Sequence, residues 1–282
     1  MRFILTMLPI LFLGEVAAIA QVVAPGVPTT AQPAQARRQK DWTIGVGIAA
    51  IYAPVWQGSR DQSLSIFPDL RVNYRDSVFS SIPDGLGWNV VNKDGWKIGP
   101  LFKFRFGRDE DNGGSPFLIT GGSDALIGMG DIGIAGEPGG FAEYSFAKKR
   151  VRARAEVRAG FGGHSGVVAD TTIAWNDSIG APMTPGFLIY SAGLRATFAS
   201  ANYNNTYFGV DQAQSVATGL PISVIGSGLV STGINLGLVK PIGKKGQLGS
   251  VVLFEGYDRL ADTVTDSSLI QQRGSETNFQ LG

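Results

Sequence analysis

From Trp42 onward, apolar and polar residues alternate with period two, one segment after another. In Trp42 to Tyr52 the set Trp42, Ile44, Val46, Ile48, Ala50 and Tyr52 is apolar, while Thr43, Gly45, Gly47 and Ala49 hold the other parity. In Leu64 to Tyr74, Leu64, Ile66, Pro68, Leu70, Val72 and Tyr74 alternate with Ser65, Phe67, Asp69, Arg71 and Asn73. In Trp96 to Phe106 an apolar set ending in Phe102, Phe104 and Phe106 alternates with Lys97, Gly99, Leu101, Lys103 and Arg105. Successive side chains of a strand point to opposite faces, so each segment is a strand with one greasy face.

The sharpest case is Arg150 to Phe161, where Arg152, Arg154, Glu156 and Arg158 share one parity and Val151, Ala153, Ala155, Val157 and Ala159 the other. A soluble sheet also alternates, so this segment alone does not fix the medium. The ends of the apolar stripes do: ten-residue segments with aromatics at both ends are the pattern of transmembrane β-barrel strands. Trp42, Tyr74, Trp96, Phe106, Tyr144, Trp175, Tyr190 and Tyr257 are expected to form the interfacial belts; a carbohydrate-stacking platform would add nothing that the belts leave unexplained.

An arginine facing lipid at the midplane costs about 2–4 kcal/mol, so slipping the Arg152 strand by one residue would cost about 6 kcal/mol or more for its three arginines. The register is therefore strongly specified. Lys97, Lys103, Arg105, Arg152, Arg154, Arg158 and Arg195 are expected to face the lumen. Asp69, Glu143, Glu156, Asp170 and Glu255 are expected to join them, and pairing between the two sets predicts a polar, partly plugged interior.

Further strands are expected at Ile132 to Phe146, Val167 to Trp175, Phe187 to Phe198, Leu229 to Val239, Leu248 to Tyr257 and from Glu276. Barrels of this class keep both termini in the periplasm, with short turns there and long loops outside. The connections at 107–130, 199–227 and 258–275 are then external, and Ala147-Lys148-Lys149 and Pro241 to Gly246 periplasmic. Parity closes if Ser77 to Val91 holds two short strands around Pro83-Asp84-Gly85. The expected fold is an all-β antiparallel outer-membrane barrel of twelve strands, or ten if that segment is one kinked strand. The final segment stops in mid-strand at Gly282, so the last strand is expected to be incomplete.

Composition agrees with this reading: 39 Gly, 14 Pro, no Cys, one His and 17% charged residues. A formal net charge of +1 gives no electrostatic footprint for nucleic acid. Absence of cysteine excludes disulfides and thiolate chemistry. Ahead of the barrel, Arg2, an apolar run from Phe3 to Leu13 and Ala18-Ile19-Ala20 predict a signal peptide over residues 1–20, cleaved before Gln21. Residues 21–40, rich in Pro, Ala and Gln, predict a flexible periplasmic linker, and the barrel domain occupies 41–282.

Few motifs suggest chemistry. Gly128-Met129-Gly130-Asp131-Ile132-Gly133 has dinucleotide-turn spacing, but Gly136, Pro138, Gly139 and Gly140 exclude the helix it needs. Gly45, Gly47 and Ala50 are a chance match of the same kind. Gly163-His164-Ser165 has the start of a nucleophile elbow. Val167 replaces its second glycine, and adjacent residues of an extended chain face opposite ways, so His164 is badly placed to take a proton from Ser165. Arg108-Asp109-Glu110-Asp111-Asn112 offers oxygen ligands without the glycine turn and closing Glu of a calcium loop. It reads as a solvated acidic loop, with weak cation binding to lipopolysaccharide phosphates as the alternative. One imidazole and no thiolate rule out a His-based zinc site. No catalytic, cofactor or metal residue is assigned.

The ordered runs Asp84-Gly85-Leu86-Gly87-Trp88-Asn89, Gly107-Arg108-Asp109-Glu110-Asp111, Gly130-Asp131-Ile132, Gly162-Gly163-His164-Ser165-Gly166 and Tyr203-Asn204-Asn205-Thr206-Tyr207-Phe208-Gly209-Val210 resemble the MipA/OmpV family, from about Asp41 to Gly282. The resemblance implies an outer-membrane barrel of a diderm bacterium, in contact with lipid and lipopolysaccharide. It also implies a non-enzymatic scaffold joining a lytic transglycosylase to a murein synthase. A narrow diffusion channel with a basic lumen is the alternative, and a lumen or rim enzyme the third class.

Overall fold

The computed structural model describes residues 41–112, 117–181, 184, 186–242 and 249–282. The expected signal peptide and linker lie outside them, as does most of the turn after Pro241.

Twelve antiparallel strands form the closed wall: β1 (Trp42–Pro54), β2 (Gln62–Tyr74), β3 (Val78–Ser81), β4 (Gly85–Trp88), β6 (Trp96–Arg105), β8 (Ala135–Phe146), β9 (Val151–Ala159), β11 (Val167–Ile179), β12 (Leu188–Ala199), β13 (Gly228–Ile242), β14 (Gly249–Leu260) and β15 (Thr277–Leu281). Each pairs with the next, and β15 reaches β1 through Tyr52↔Leu281. Three short strands flank the ring: β5 (Val91–Lys93) on β6, β7 (Leu118–Gly121) on β2 and β10 (Phe161–Gly162) on β8. The segment 77–91 does hold two strands, β3 and β4, so the twelve-strand count holds and the ten-strand alternative falls.

The outer face is apolar because alternation puts one parity there. Val46 is 84% and Ile48 80% exposed, while Ile51 and Ala53 on the opposite parity are fully buried. At the end carrying the short turns, Trp42 lies 4.6 Å from Tyr74 and Trp96 4.6 Å from Tyr144, ring centre to ring centre. At the other end Tyr52, Phe104, Phe198 and Tyr257 are exposed. The ten residue steps from Trp42 to Tyr52 cover ~33 Å along the strand, and a strand tilt of ~40° projects this to ~25 Å, the height of a barrel's lipid-facing band. No helix among the described residues is long and apolar enough to cross a membrane, which leaves the strands untouched.

Two expectations on facing are overturned. Glu255 is exposed on the outer face of β14, because its neighbours Phe254 and Gly256 are the inward residues of that strand and Asp258 completes their parity. Glu255 is two residues from Tyr257, near the interface, where a lipid-facing carboxylate costs little. Phe106 is no belt residue: β6 ends at Arg105, and Phe106 turns inward against the cluster of Ile51, Ala53, Phe67 and Phe254.

The long connections are not plain loops. They fold into α1 (Ala201–Phe208), α2 (Gln212–Thr218), α3 (Asp262–Thr265), α4 (Ser268–Arg273) and a 3-10 turn at Asp124–Leu126. Their apolar residues, among them Leu126, Tyr203, Phe208, Leu220 and Leu269, form the largest buried cluster of the molecule, a lid across one end of the barrel. Arg273 clamps it, donating to the carbonyls of Ala125 (3.1 Å) and Thr218 (2.9 Å), residues of two other connections.

Candidate functional site

Beneath the lid, inward-pointing charges of β6, β8, β9 and β11 meet in one network, beside an ion pair that joins β12 to β14. Its centre is Glu137 of β8, 0% exposed. Arg105 of β6 donates to it in a close contact, Arg158 of β9 through Nε at 2.9 Å, and His164 through Nε2 at 2.9 Å. Arg158 also contacts Glu156 closely and reaches Asp170 of β11 at 2.5 Å, and Asp170 accepts from Thr197 of β12 at 2.6 Å. Lys103 binds Glu156 at 2.8 Å, and Arg154 binds Glu156 at 2.7 Å and Glu143 at 3.2 Å. On β12 and β14, Arg195 and Asp258 pair across the intervening β13, with Nε to Oδ1 at 2.6 Å. The bare backbone of Gly233 makes room there, since a Cβ would collide with Asp258. Losing one partner of such a buried set leaves a desolvated charge, which costs about 3–5 kcal/mol.

Of the twelve charged residues expected to face the lumen, Lys103, Arg105, Glu143, Arg154, Glu156, Arg158, Asp170 and Arg195 lie in this layer. Arg152 is at its lower margin, 3.9 Å from Glu143. Lys97 stands apart near the short turns and pairs with Asp76 at 2.7 Å.

The lid reaches down into the network. Tyr203 and Tyr207, four apart on α1, present one face to the chamber with their rings 4.6 Å apart. Arg105 Nη1 donates to the Tyr203 hydroxyl at 3.0 Å, and its guanidinium lies 4.9 Å from the Tyr203 ring centre. Burial pushes both phenols above their ordinary pKa, so they remain protonated at neutral pH. Between them, Asn204 donates to the Gly226 carbonyl at 2.7 Å, and Asn205 exchanges bonds with Ile225, which anchors the returning chain. The Tyr-Asn-Asn-Thr-Tyr run thus divides its labour by helical phase.

His164 takes no part in a nucleophilic pair. Its Nδ1 accepts from the Gly166 amide at 3.1 Å, which leaves the proton on Nε2 facing Glu137, and its ring stands edge-on to Tyr203. Ser165 is exposed on the other side of the chain. The acidic loop is spent internally as well: Asp109 caps the amides of Asp111 and Asn112, and Glu110 accepts from Gly128 (2.9 Å) and Gly130 (2.8 Å). The glycines with dinucleotide spacing therefore hold a carboxylate of their own chain. Among the described residues no group of three or more His, Cys, Asp or Glu is arranged for a metal ion.

Parity reasoning missed Glu137, although it shares the parity of Glu143 and was readable on the same strand. Arg108, Tyr203 and Tyr207 lie outside the strands, where alternation carries no signal. A cavity of about 170 Å³ lies beside these contacts, lined by both network and lid and bordered by Trp56, Lys103, Arg108, Arg154, Tyr207 and Asp258 among others. The runs Gly107–Asp111, Gly130–Ile132, Gly162–Gly166 and Tyr203–Val210 all converge here. Arg108 and Ile132 bridge by backbone, and a Cβ at Gly166 would strike Tyr203.

No curated protein matches the chain. The family described as MltA-interacting protein MipA matches residues 46–282, which takes in the wall from the fifth residue of β1 onward and the whole lid. With that match, a closed twelve-strand barrel and the motif runs gathered at one end of it, this chain belongs to the MipA family.

Proposed function

We propose that this protein is a non-enzymatic scaffold of the outer membrane of a diderm bacterium, holding a lytic transglycosylase and a murein synthase at its periplasmic face. The observation that carries this reading is the family match, whose description is interaction with MltA. The apolar band and its aromatic girdles support a place in the outer membrane, with the lid outward and the short turns toward the periplasm. The interior supports a scaffold over a channel: apart from Arg108, the cations bordering the chamber are paired with carboxylates, leaving few fixed charges to select a solute.

The docking face is assigned to the short turns. Ala147, Lys148 and Lys149 are held at φ of 49°, 59° and 67°, a left-handed run that costs roughly 1–2 kcal/mol per residue. This presents Lys148 and Lys149 as a basic knuckle below the rim, beside Arg150 and its ion pair with Asp177, suited to an acidic patch on a partner.

The test is recovery of partners from envelope extract on the purified barrel, identified by mass spectrometry. The expected result is the transglycosylase together with a murein synthase, reduced by Lys148→Glu with Lys149→Glu. A blank recovery accompanied by steady conductance in planar bilayers would replace the scaffold with the channel.

A further inference from the structure

The chamber under the lid contains hydrogen-bond donors that no described residue satisfies. Trp56 is 2% exposed and its Nε1 has no partner; Arg108 is 4% exposed and its Nε has none; Tyr207 is 8% exposed and its hydroxyl has none. All three border the same cavity, where Arg154 Nη2 is unpaired too. A buried donor left without an acceptor costs about 1–3 kcal/mol, so several around one space mark a place shaped for an acceptor.

Charge points the same way. Every other cation of the layer has a carboxylate: Lys103 and Arg154 have Glu156, Arg105 and Arg158 have Glu137, and Arg195 has Asp258. Arg108 has none. Its Nη1 donates to the Tyr207 carbonyl at 2.7 Å, and its guanidinium stands 5.9 Å from the Trp56 ring centre. Burial lowers its pKa to about 10, which still leaves it cationic at neutral pH. A buried cation without a counter-ion is costly to keep.

The wall beside this cavity is interrupted. On the side away from β1, β2 is covered by β3 only at residues 72–74 and by β7 at 63–65, with one further bond from Ile66 to Phe117. On the side away from β8, β6 is covered by β5 at 96–98 and by β4 at 101–102. Among the described residues, 67–71 of β2 and 103–105 of β6 thus have no ladder partner on those edges. The gap lies above the tip of the β3–β4 hairpin, where Ile82 is 37%, Leu86 54% and Phe104 62% exposed, and the cavity reaches Ile82, Pro83 and Phe104. An opening with a greasy threshold on the lipid side and convergent donors within fits a ligand with an apolar chain and a charged head.

We propose that this chamber binds a single-chain amphiphile with an oxyanion head, phosphate or carboxylate. The head is held by Arg108, Trp56 Nε1 and the Tyr207 hydroxyl, and the chain lies through the side opening over Ile82 and Phe104. The site is independent of the periplasmic docking face.

The test uses the folded full chain in neutral alkyl-maltoside micelles, with native mass spectrometry to count retained ligand and heat-modifiable migration to check the fold. The probes are dodecyl phosphate, laurate, dodecanol and inorganic phosphate. One dodecyl phosphate or one laurate per barrel is expected, the tighter of the two naming the head. Arg108→Gln should weaken it about tenfold or more and Arg108→Lys much less, since a hydrogen bond to a charged group is at stake. If Arg108→Gln fails to fold, Trp56→Phe removes the indole donor alone and should still weaken binding severalfold. Ile82→Trp, at an exposed tip, should weaken dodecyl phosphate and leave inorganic phosphate unchanged. Dodecanol held as tightly as the anions, inorganic phosphate held as tightly as dodecyl phosphate, or retention indifferent to Arg108→Gln and Trp56→Phe would each overturn the proposal.

Discussion

Glu137 shows how one residue can hold several strands to account. It neutralises Arg105 and Arg158 from β6 and β9 and accepts a hydrogen bond from His164 Nε2, all out of water. Glu137→Ala is expected to lower unfolding stability by about 3–5 kcal/mol. Lys97→Ala, whose ion pair with Asp76 is half exposed, should change it by less than about 1 kcal/mol. Urea unfolding of the barrel reconstituted in liposomes, followed by gel migration, checks both. His164→Ala should follow Glu137→Ala in sign and be smaller, and neither His164→Ala nor Ser165→Ala should change any ester, lipid or glycan turnover. A turnover lost in either variant would install an enzyme in place of the scaffold.

At the scale of elements, strand facing can be checked at Ala155, exposed on the outer side of β9 between inward Arg154 and Glu156. Ala155→Val should fold as the parent does, whereas Ala155→Arg places a cation in lipid and should cost about 2–4 kcal/mol. Equal heat-modifiable folding of the two would refute the register. The strands were legible because alternation is a local signal, and because Arg152, Arg154 and Arg158 make the wrong register expensive. The same rule misread Glu255, since it sent every charge inward although Phe254 and Asp258 already fixed that strand's parity. The lid was illegible for a different reason: α1 to α4 span 8, 7, 4 and 6 residues, too short for a helical period to emerge, and what holds them lies far off in sequence. Arg273 bonds residues 148 and 55 positions away. Arg273→Ala should therefore raise hydrogen exchange in 201–220 and 262–273 while β8 to β12 stay protected.

For the whole molecule, the apolar outer band with girdles at both ends leads to one expectation about place. The protein should float with outer-membrane vesicles and resist carbonate extraction. Recovery in the soluble periplasm would contradict it, because an apolar band as exposed as Val46 and Ile48 is suited to lipid and not to water.

The lid's dependence on distant partners also sets an order of events. Tyr203 needs Arg105 in place, Asn204 and Asn205 need the chain from 225, and the clamp from Arg273 waits for the last connection. Sheet formation can proceed hairpin by hairpin, but contacts this far apart close only after the wall has gathered them. Protease resistance of the 201–227 segment should thus lag behind strand formation during refolding into bilayers. The lid acts as a clock that starts when the barrel is complete, and a chain arrested with eight or ten strands inserted would be marked by an end that remains open to cleavage.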